Sequence, residues 1–398
     1  MKWTTSPLNS VAKIVRGVSF SAQEISDTEK NNTIGVLRAG NIQEKLIVNS
    51  DLLYIPSSKV KEQQLIRSGD IAMCTSSGSP KIVGKVAYAE NDADRTVGAF
   101  CCIIRPQKKL VSSKYLFHFF NSSIFKNWAE ISPGANIKNI KISALQNFVV
   151  PLPPLAEQRR IAAILDKVDA IRRKRQQSLK LIDDLVKSQF IEMFGDPVTN
   201  PMGWDSGALG CKIQTIMAGE SVNGEARLLE KGEKAVLKIS AVTYGYFDPS
   251  EYKVIQNQKG IKKYVYPQKG DLLFSRANTR ELVGATAIVP RDFPDLLLPD
   301  KLWRLTFHNG LNTYFVKHVL STDAVRMAMS KQATGTSGSM FNISMKKLKK
   351  LTVPVPPLPL QNQFAAFVEQ ADKSKFTMQR QLSEIEILSS SLKQKFFA

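Results

Sequence analysis

Histidine and cysteine are scarce, with three and four in 398 residues. Only His118, His308 and His318 supply imidazole, so general acid–base chemistry would have to rest on carboxylates. The carboxylate pair Asp183-Asp184 falls on one flank of a helical run with no pocket implied, and His118, inside "YLFHFF", reads as a packed or partly exposed ring. Cys74, Cys101, Cys102 and Cys211 include an adjacent pair that cannot easily bridge, and no Cys/His spacing suits zinc. Apolar runs long enough to span a bilayer are missing, and "MKWTTSPLNSVAKIVRG" lacks the apolar core of a signal peptide. The expectation is a reduced, cytoplasmic protein with no membrane partner. Nucleotide loops are missing too. "GSPKIVGKV" at Gly78 has one residue too many between its glycines and Val86 where a hydroxyl should follow the lysine, so it reads as a strand turn. "TNPMGW" at Thr199 lacks the second proline of the Asn-Pro-Pro-aromatic motif of amino-methyltransferases, and no glycine-rich cofactor loop precedes it. No catalytic, cofactor-binding or metal residue is assigned, and the chain reads as a non-enzyme.

Acidic residues are also in deficit: 35 against 55 basic ones, a formal charge of +20. Such an excess points to a polyanionic partner, with nucleic acid ahead of a merely solvated basic surface. Apolar residues, at 43%, suffice for real cores, and the length suits two domains.

What the chain does have is a repeat. "PLPPLAEQRRIAAILDKVDAI" at Pro151 is answered by "PVPPLPLQNQFAAFVEQADKS" at Pro354. Trp3 and Leu8 answer Trp204 and Leu209, "VLRAGNI" at Val36 answers "VLKISAV" at Val236, and "GDIAM" at Gly69 answers "GDLLF" at Gly270. "VGKVA" at Val83 pairs with "VGATA" at Val283, and "NIKISAL" at Asn139 with "NISMKKL" at Asn342. All fall in order about 200 residues apart, the mark of a tandem duplication. Each copy opens with short β-rich runs, continues through a helical stretch and closes on a long helix, an α+β organisation. The segments expected are 1–153, 154–196, 197–356 and 357–398.

The first long helix opens after Pro153-Pro154 with Glu157 in its first turn, and Gly195 with Pro197 stops it. Its apolar stripe is Ile161, Ile164, Leu165, Val168, Ile171, Leu179, Ile182, Leu185 and Val186. The second carries Phe364, Phe367, Val368, Ala371, Met378, Leu382, Ile385, Leu388, Leu392 and Phe396. A helix of about 40 residues is about 60 Å long and cannot bury its stripe on one compact domain. An antiparallel coiled coil relating the two copies by a pseudo-twofold axis is expected. The alternative is that each helix packs on its own domain. Polar interruptions at Arg172–Arg175 and Ser374-Lys375 predict loose packing in mid-coil.

"PLPPLAEQRRIAAILDKVDAI" running on to "MFGDP" closely resembles the central conserved region of specificity subunits of type I restriction–modification systems. The "GDIAM" and "GDLLF" strands, the "VGK" and "VGA" turns and "NIKNIKISALQNFVVPLPP" are similar to the target-recognition domains of that family. The likeness covers essentially the whole chain. It implies two target-recognition domains, at 1–153 and 197–356, each reading one half of an asymmetric bipartite site in double-stranded DNA. The helices would set the spacing and dock two methyltransferase subunits, with restriction/translocase subunits joining them. Methylation would go to adenine N6, with S-adenosylmethionine bound by the partner and no cofactor on this chain. Half-sites one helical turn apart, about 34–36 Å, fit within a coil of about 60 Å.

Candidate DNA contacts are Lys81 and Lys85 in "MCTSSGSPKIVGK" and Arg276, Asn278 and Arg280 in "FSRANTRELVG", since Arg grips guanine and Asn adenine. "GANIKN" and "GTSGSMFN" form a second candidate loop, and Arg172–Arg175 are candidates for phosphates between the half-sites or for a methyltransferase contact. Docking and coil candidates are Glu157, Gln158, Arg159, Arg160, Ile164, Val168, Phe364, Phe367 and Leu382. The second copy departs from the family pattern, with Leu360, Asn362 and Gln363 in place of Glu157, Arg159 and Arg160. The rival reading is a non-enzymatic coiled-coil assembly protein that binds another polyanion such as RNA. A whole restriction–modification enzyme in one chain is set aside for want of a cofactor-binding domain.

Overall fold

The computed structural model describes residues 3–130, 138–256, 260–334 and 340–397. The chain divides into two compact units, residues 1–177 with 379–398 and residues 178–378. Each long helix therefore gives one half to each unit.

In the first unit the apolar runs form an antiparallel four-stranded sheet. Its order is Ala12–Arg16, Cys101–Pro106, Ile71–Cys74, Val86–Tyr88. Every residue of Ile71–Cys74 is buried, which explains a continuous apolar run where an alternating one would mark a half-exposed strand. Alternation still decides which core each residue enters. Ile71 and Met73 join Cys102 and Ile104 beneath helices α1 (Ser113–Phe120) and α2 (Ser123–Glu130), whereas Ala72 and Cys74 join Cys101 and Ile103 on the opposite face. That opposite face is covered by a small sheet in which Thr33–Leu37 pairs antiparallel with Leu53–Pro56 and parallel with Arg95–Val97. Helix α3 (Ile142–Gln146) leads into Val149–Pro151, which pairs with Thr5–Pro7 and so brings the start of the domain to the foot of helix α4 (Leu155–Phe194).

The second unit repeats this plan. Ile213–Ala218, Leu302–Phe307, Leu272–Ser275 and Thr286–Ile288 stand in the same order, and Ala235–Leu237 again has one antiparallel neighbour (Tyr252–Ile255) and one parallel neighbour (Leu296–Leu297). One strand, Gly224–Glu225, extends the small sheet. A single turn, α5 (Ser240–Thr243), precedes the helices α6 (Thr313–Ser321), α7 (Asp323–Gln332) and α8 (Met345–Lys349), and α9 (Leu358–Phe397) closes the chain. The duplication is thus one of topology as well as of sequence.

Two repeated motifs have clear physical causes. In "GDIAM", Asp70 is buried; it accepts from the Arg67 amide at 2.8 Å and from Arg105 Nε and Nη2 at 2.8 and 2.7 Å. In "GDLLF", Asp271 accepts from the Gln268 amide at 2.7 Å and lies 2.9 Å from Arg304 Nε. Each aspartate ties its strand to the neighbouring one through a paired, buried charge. The "VGK" and "VGA" turns need glycine because Gly84 and Gly284 both sit at φ +82°. A Cβ on Gly84 would stand 2.8 Å from the Ala129 methyl.

The long helices settle the choice between a coil and packing on a domain in favour of both. In the first unit Ile161 and Leu165 of α4 pack with Tyr115 and Phe119 of α1 and with Phe396 and Phe397 of α9. In the second unit Phe190 and Phe194 of α4 meet Phe315 of α6 and Phe364 of α9, with ring centroids 4.8 to 5.8 Å apart. Within each unit the helices run antiparallel, the start of one beside the end of the other. Farther along the stripe, Ile171 and Leu388 in the first unit and Leu185 in the second are about half exposed. Helix is retained there without a domain wall to cover the stripe. No helix among the described residues is long and apolar enough to cross a membrane.

Candidate nucleic-acid interface

The site begins with what fixes the helices to the domains. Gln158 is buried; its Oε1 accepts from the Ser112 amide at 2.8 Å, and its Nε2 donates to the carbonyls of Pro153 and Leu110 at 2.9 and 3.3 Å. Gln361 does the same in the second unit, to the Asn312 amide at 2.9 Å and the carbonyls of Pro356 and Gly310 at 2.7 and 3.1 Å. Gln158, a docking or coil candidate on sequence grounds, is enclosed by these bonds and acts as an internal tie between helix and domain. His118 adds a second tie that sequence reading missed. Fully buried in α1, it places Nε2 2.8 Å from Asp166 and Nδ1 3.9 Å from Asp169 on α4. The signal was available in the i, i+3 spacing of the two carboxylates, which shares one helix face. His318 of the second unit has its Nδ1 2.8 Å from the Tyr314 carbonyl, and burial together with neighbouring Lys317 pushes its pKa down to about 3.

On these anchored domains the two candidate loops of each copy come together. Ser76–Ser77 pairs with Lys138–Asn139, and Ala277–Asn278 pairs with Phe341–Asn342. Segments some 60 residues apart in sequence thus share one short ladder in each unit. The greater part of "GANIKN" and "GTSGSMFN", residues 134–137 and 335–339, lies outside the described residues. Lys81 and Lys85 are exposed. Arg280 is exposed as well, with its guanidinium 5.7 Å from the Phe341 ring centre. Arg276 and Asn278 are half-buried and partly committed. Arg276 donates to the Asp300 carbonyl at 3.2 Å and lies 3.4 Å from its carboxylate, while Asn278 Oδ1 accepts from the Thr279 amide at 2.9 Å.

In the first unit one groove collects cations from four elements: Lys81 and Lys85 of the loop, Lys126 of α2, Arg172 and Arg173 of α4, and Lys393 of α9. Arg172 is paired with Glu44 at 2.8 Å, whereas Arg173 makes no hydrogen bond or ion pair among the described residues. Burial lowers the pKa of Lys393, with Lys126 and Arg172 adding to the effect and Asp169 opposing it. A desolvated cation among like charges gains more from an arriving anion than one already in water.

The helix starts differ between the copies. Glu157 and Arg160 form a bidentate pair at 2.6 and 2.7 Å, which holds the Glu157 carboxyl below the usual range; Arg159 is exposed beside them. At the second start Asn362 Oδ1 accepts from Asn312 Nδ2 at 2.9 Å, and no charge is present in the first turn. Of the remaining coil candidates, Val168 and Phe364 are buried, and Ile164, Phe367 and Leu382 are half-buried.

A sequence model of the type I restriction modification DNA specificity domain matches residues 1–181 and 211–386. The chain is 30% identical to the type I restriction enzyme EcoKI specificity subunit of Escherichia coli K12, over all of this chain and 88% of that one. It is 28% identical, with the same coverage, to the StySPI specificity subunit of Salmonella potsdam. Among solved structures, the S subunit of a type I restriction–modification system from M. genitalium aligns over all of this chain and 96% of its own, with a TM-score of 0.61 at 16% identity. At that identity the likeness speaks to the fold.

Proposed function

Since the chain belongs to the type I restriction–modification DNA specificity family, we propose that its two units each read one half of an asymmetric, bipartite site in double-stranded DNA. DNA sequence recognition within a restriction–modification complex is the family's role; the division of labour is the further step. The observation that carries it is the pair of equivalent ladders with unlike side chains. The first unit offers Ser76, Ser77, Lys81 and Lys85, the second Arg276, Asn278 and Arg280. Copies of one scaffold with different loop chemistry suit two different half-sites.

In this reading the long helices set the spacing of the half-sites and dock two methyltransferase subunits, which bind S-adenosylmethionine and methylate adenine N6. Restriction/translocase subunits complete the assembly. Exposed Arg159 and the Glu157–Arg160 pair offer a charged docking edge at the first helix start, and Leu360, Asn362 and Gln363 a neutral one at the second. The chain supplies affinity and register, and the chemistry belongs to its partners. Sequencing modified adenine in the host genome with and without this gene tests the reading. A two-part motif methylated on both strands should vanish on deletion. An unchanged methylome in a host with an expressed methyltransferase partner would refute it and favour the assembly-protein alternative.

A further inference from the structure

Phe100 is 68% exposed, yet its carbonyl is held by three hydrogen bonds. Its carbonyl accepts from the Thr75 amide at 2.8 Å, the Ser76 amide at 3.1 Å and the Thr75 hydroxyl at 3.0 Å. The ring stands at a groove walled by Val18, Phe20, Leu53 and Ala99, with the Arg38–Asp51 ion pair on its rim. Ser76 and Ser77 line the same groove, so it is continuous with the ladder that joins the two DNA-reading loops. The second unit differs at this place. The residue in the same register there is Lys301, whose carbonyl accepts from the Arg276 amide at 3.0 Å, and it follows the aspartate paired with Arg276.

We propose that Phe100 and the apolar groove behind it read the C5-methyl of a thymine in the half-site of the first unit. The proposal rests on the DNA-reading function above. Of the groups on the major-groove edge, the thymine methyl is the apolar one. Burying it against a fixed aromatic ring is favourable, whereas an amino or carbonyl edge in that place would lose its hydrogen bonds to water. The first half-site thus requires an A·T pair facing Phe100, and the second unit, with its ionic cluster at the matching place, has no such requirement.

The test uses the full chain assembled with its methyltransferase partner, on the target found by adenine-methylation sequencing. Each thymine of the site is replaced in turn by uracil, which removes only the methyl. One replacement in the first half-site should weaken binding about fourfold, the worth of one buried methyl group. That penalty should disappear in Phe100→Ala and persist in Phe100→Leu, and uracil should be tolerated throughout the second half-site. Uracil tolerated at every position of the first half-site, or a penalty that survives Phe100→Ala, would overturn the proposal. So would a Phe100→Ala effect confined to DNA bending, the mark of a wedge between base steps. If the parent complex shows no sequence-specific binding at all, the DNA-reading function fails, a result distinct from uracil tolerance in a complex that binds its site.

Discussion

Replacing Gln158 by Met keeps the length of the side chain and removes three hydrogen bonds. The Ser112 amide and the Pro153 and Leu110 carbonyls lose their partner in a place the glutamine itself seals from water. At about 1 kcal/mol net for each bond, the change should cost about 3 kcal/mol. For a unit of this size that corresponds to a fall in Tm of roughly 6–12 °C. Gln361→Met removes three matching bonds in the second unit and should act to a similar degree. Thermal unfolding followed by circular dichroism reads both, with exposed Arg159→Ala as the control, expected within about 0.5 kcal/mol of the parent. If Gln158→Met melts within about 1 °C of the parent but loses its methyltransferase partner, the glutamine is a docking residue after all and the internal tie is wrong.

His318 should make the second unit acid-sensitive. Its pKa is about 3 in the fold against 6.5 in the unfolded chain, so the unfolded state binds the extra proton between those values and stability falls as pH drops below 6.5. At pH 5 the loss should be about 2 kcal/mol, and His318→Phe should flatten urea midpoints measured between pH 5 and 7; an unchanged slope would count against a neutral, buried ring. Arg173→Gln should weaken DNA binding evenly across sequences and lower the slope of log K against log salt by about 1, whereas Lys81→Gln with Lys85→Gln should lower the slope by about 2 and also relax the preference at the first half-site. An unchanged slope would show that these residues do not contact phosphates. Gly84→Ala should cost about 2 kcal/mol or more, because a positive φ is combined with a contact on the Ala129 methyl. Gly284→Ala, at the same φ, should cost less, since the atom it meets at 3.1 Å is the flexible end of Met329; equal losses in denaturant melts would refute that ranking.

The duplication was legible because period and order survive divergence, and it carried the fold with it: one copy read as strands, short helices and a long helix predicts the other. What stayed illegible was pairing across distance. Nothing local to "GDIAM" announces that its aspartate meets Arg105, which lies tens of residues away; for His118 the paired carboxylates on one face of the long helix were visible, but not the partner they would meet. The proline-bracketed glutamine gave no local sign of its three partners; a backbone amide and two carbonyls draw it inward. Periodicity marks the stripe but not the depth to which each of its residues is buried. Ile171, Leu185 and Leu388 keep the helical rhythm, but a stripe is buried only where another surface meets it, and the aromatic clusters at Phe190–Phe364 and Tyr115–Phe397 show that the helix ends have that surface. The same reasoning bears on recognition. The loops that share a ladder could be named from the sequence as basic and turn-rich, yet which side chains remain available depends on contacts made elsewhere. Arg276 is drawn toward Asp300 and Arg172 toward Glu44, whereas Phe100 is left exposed. Specificity in such a chain is therefore set by which side chains the scaffold leaves unpaired, as much as by which residues the loops contain.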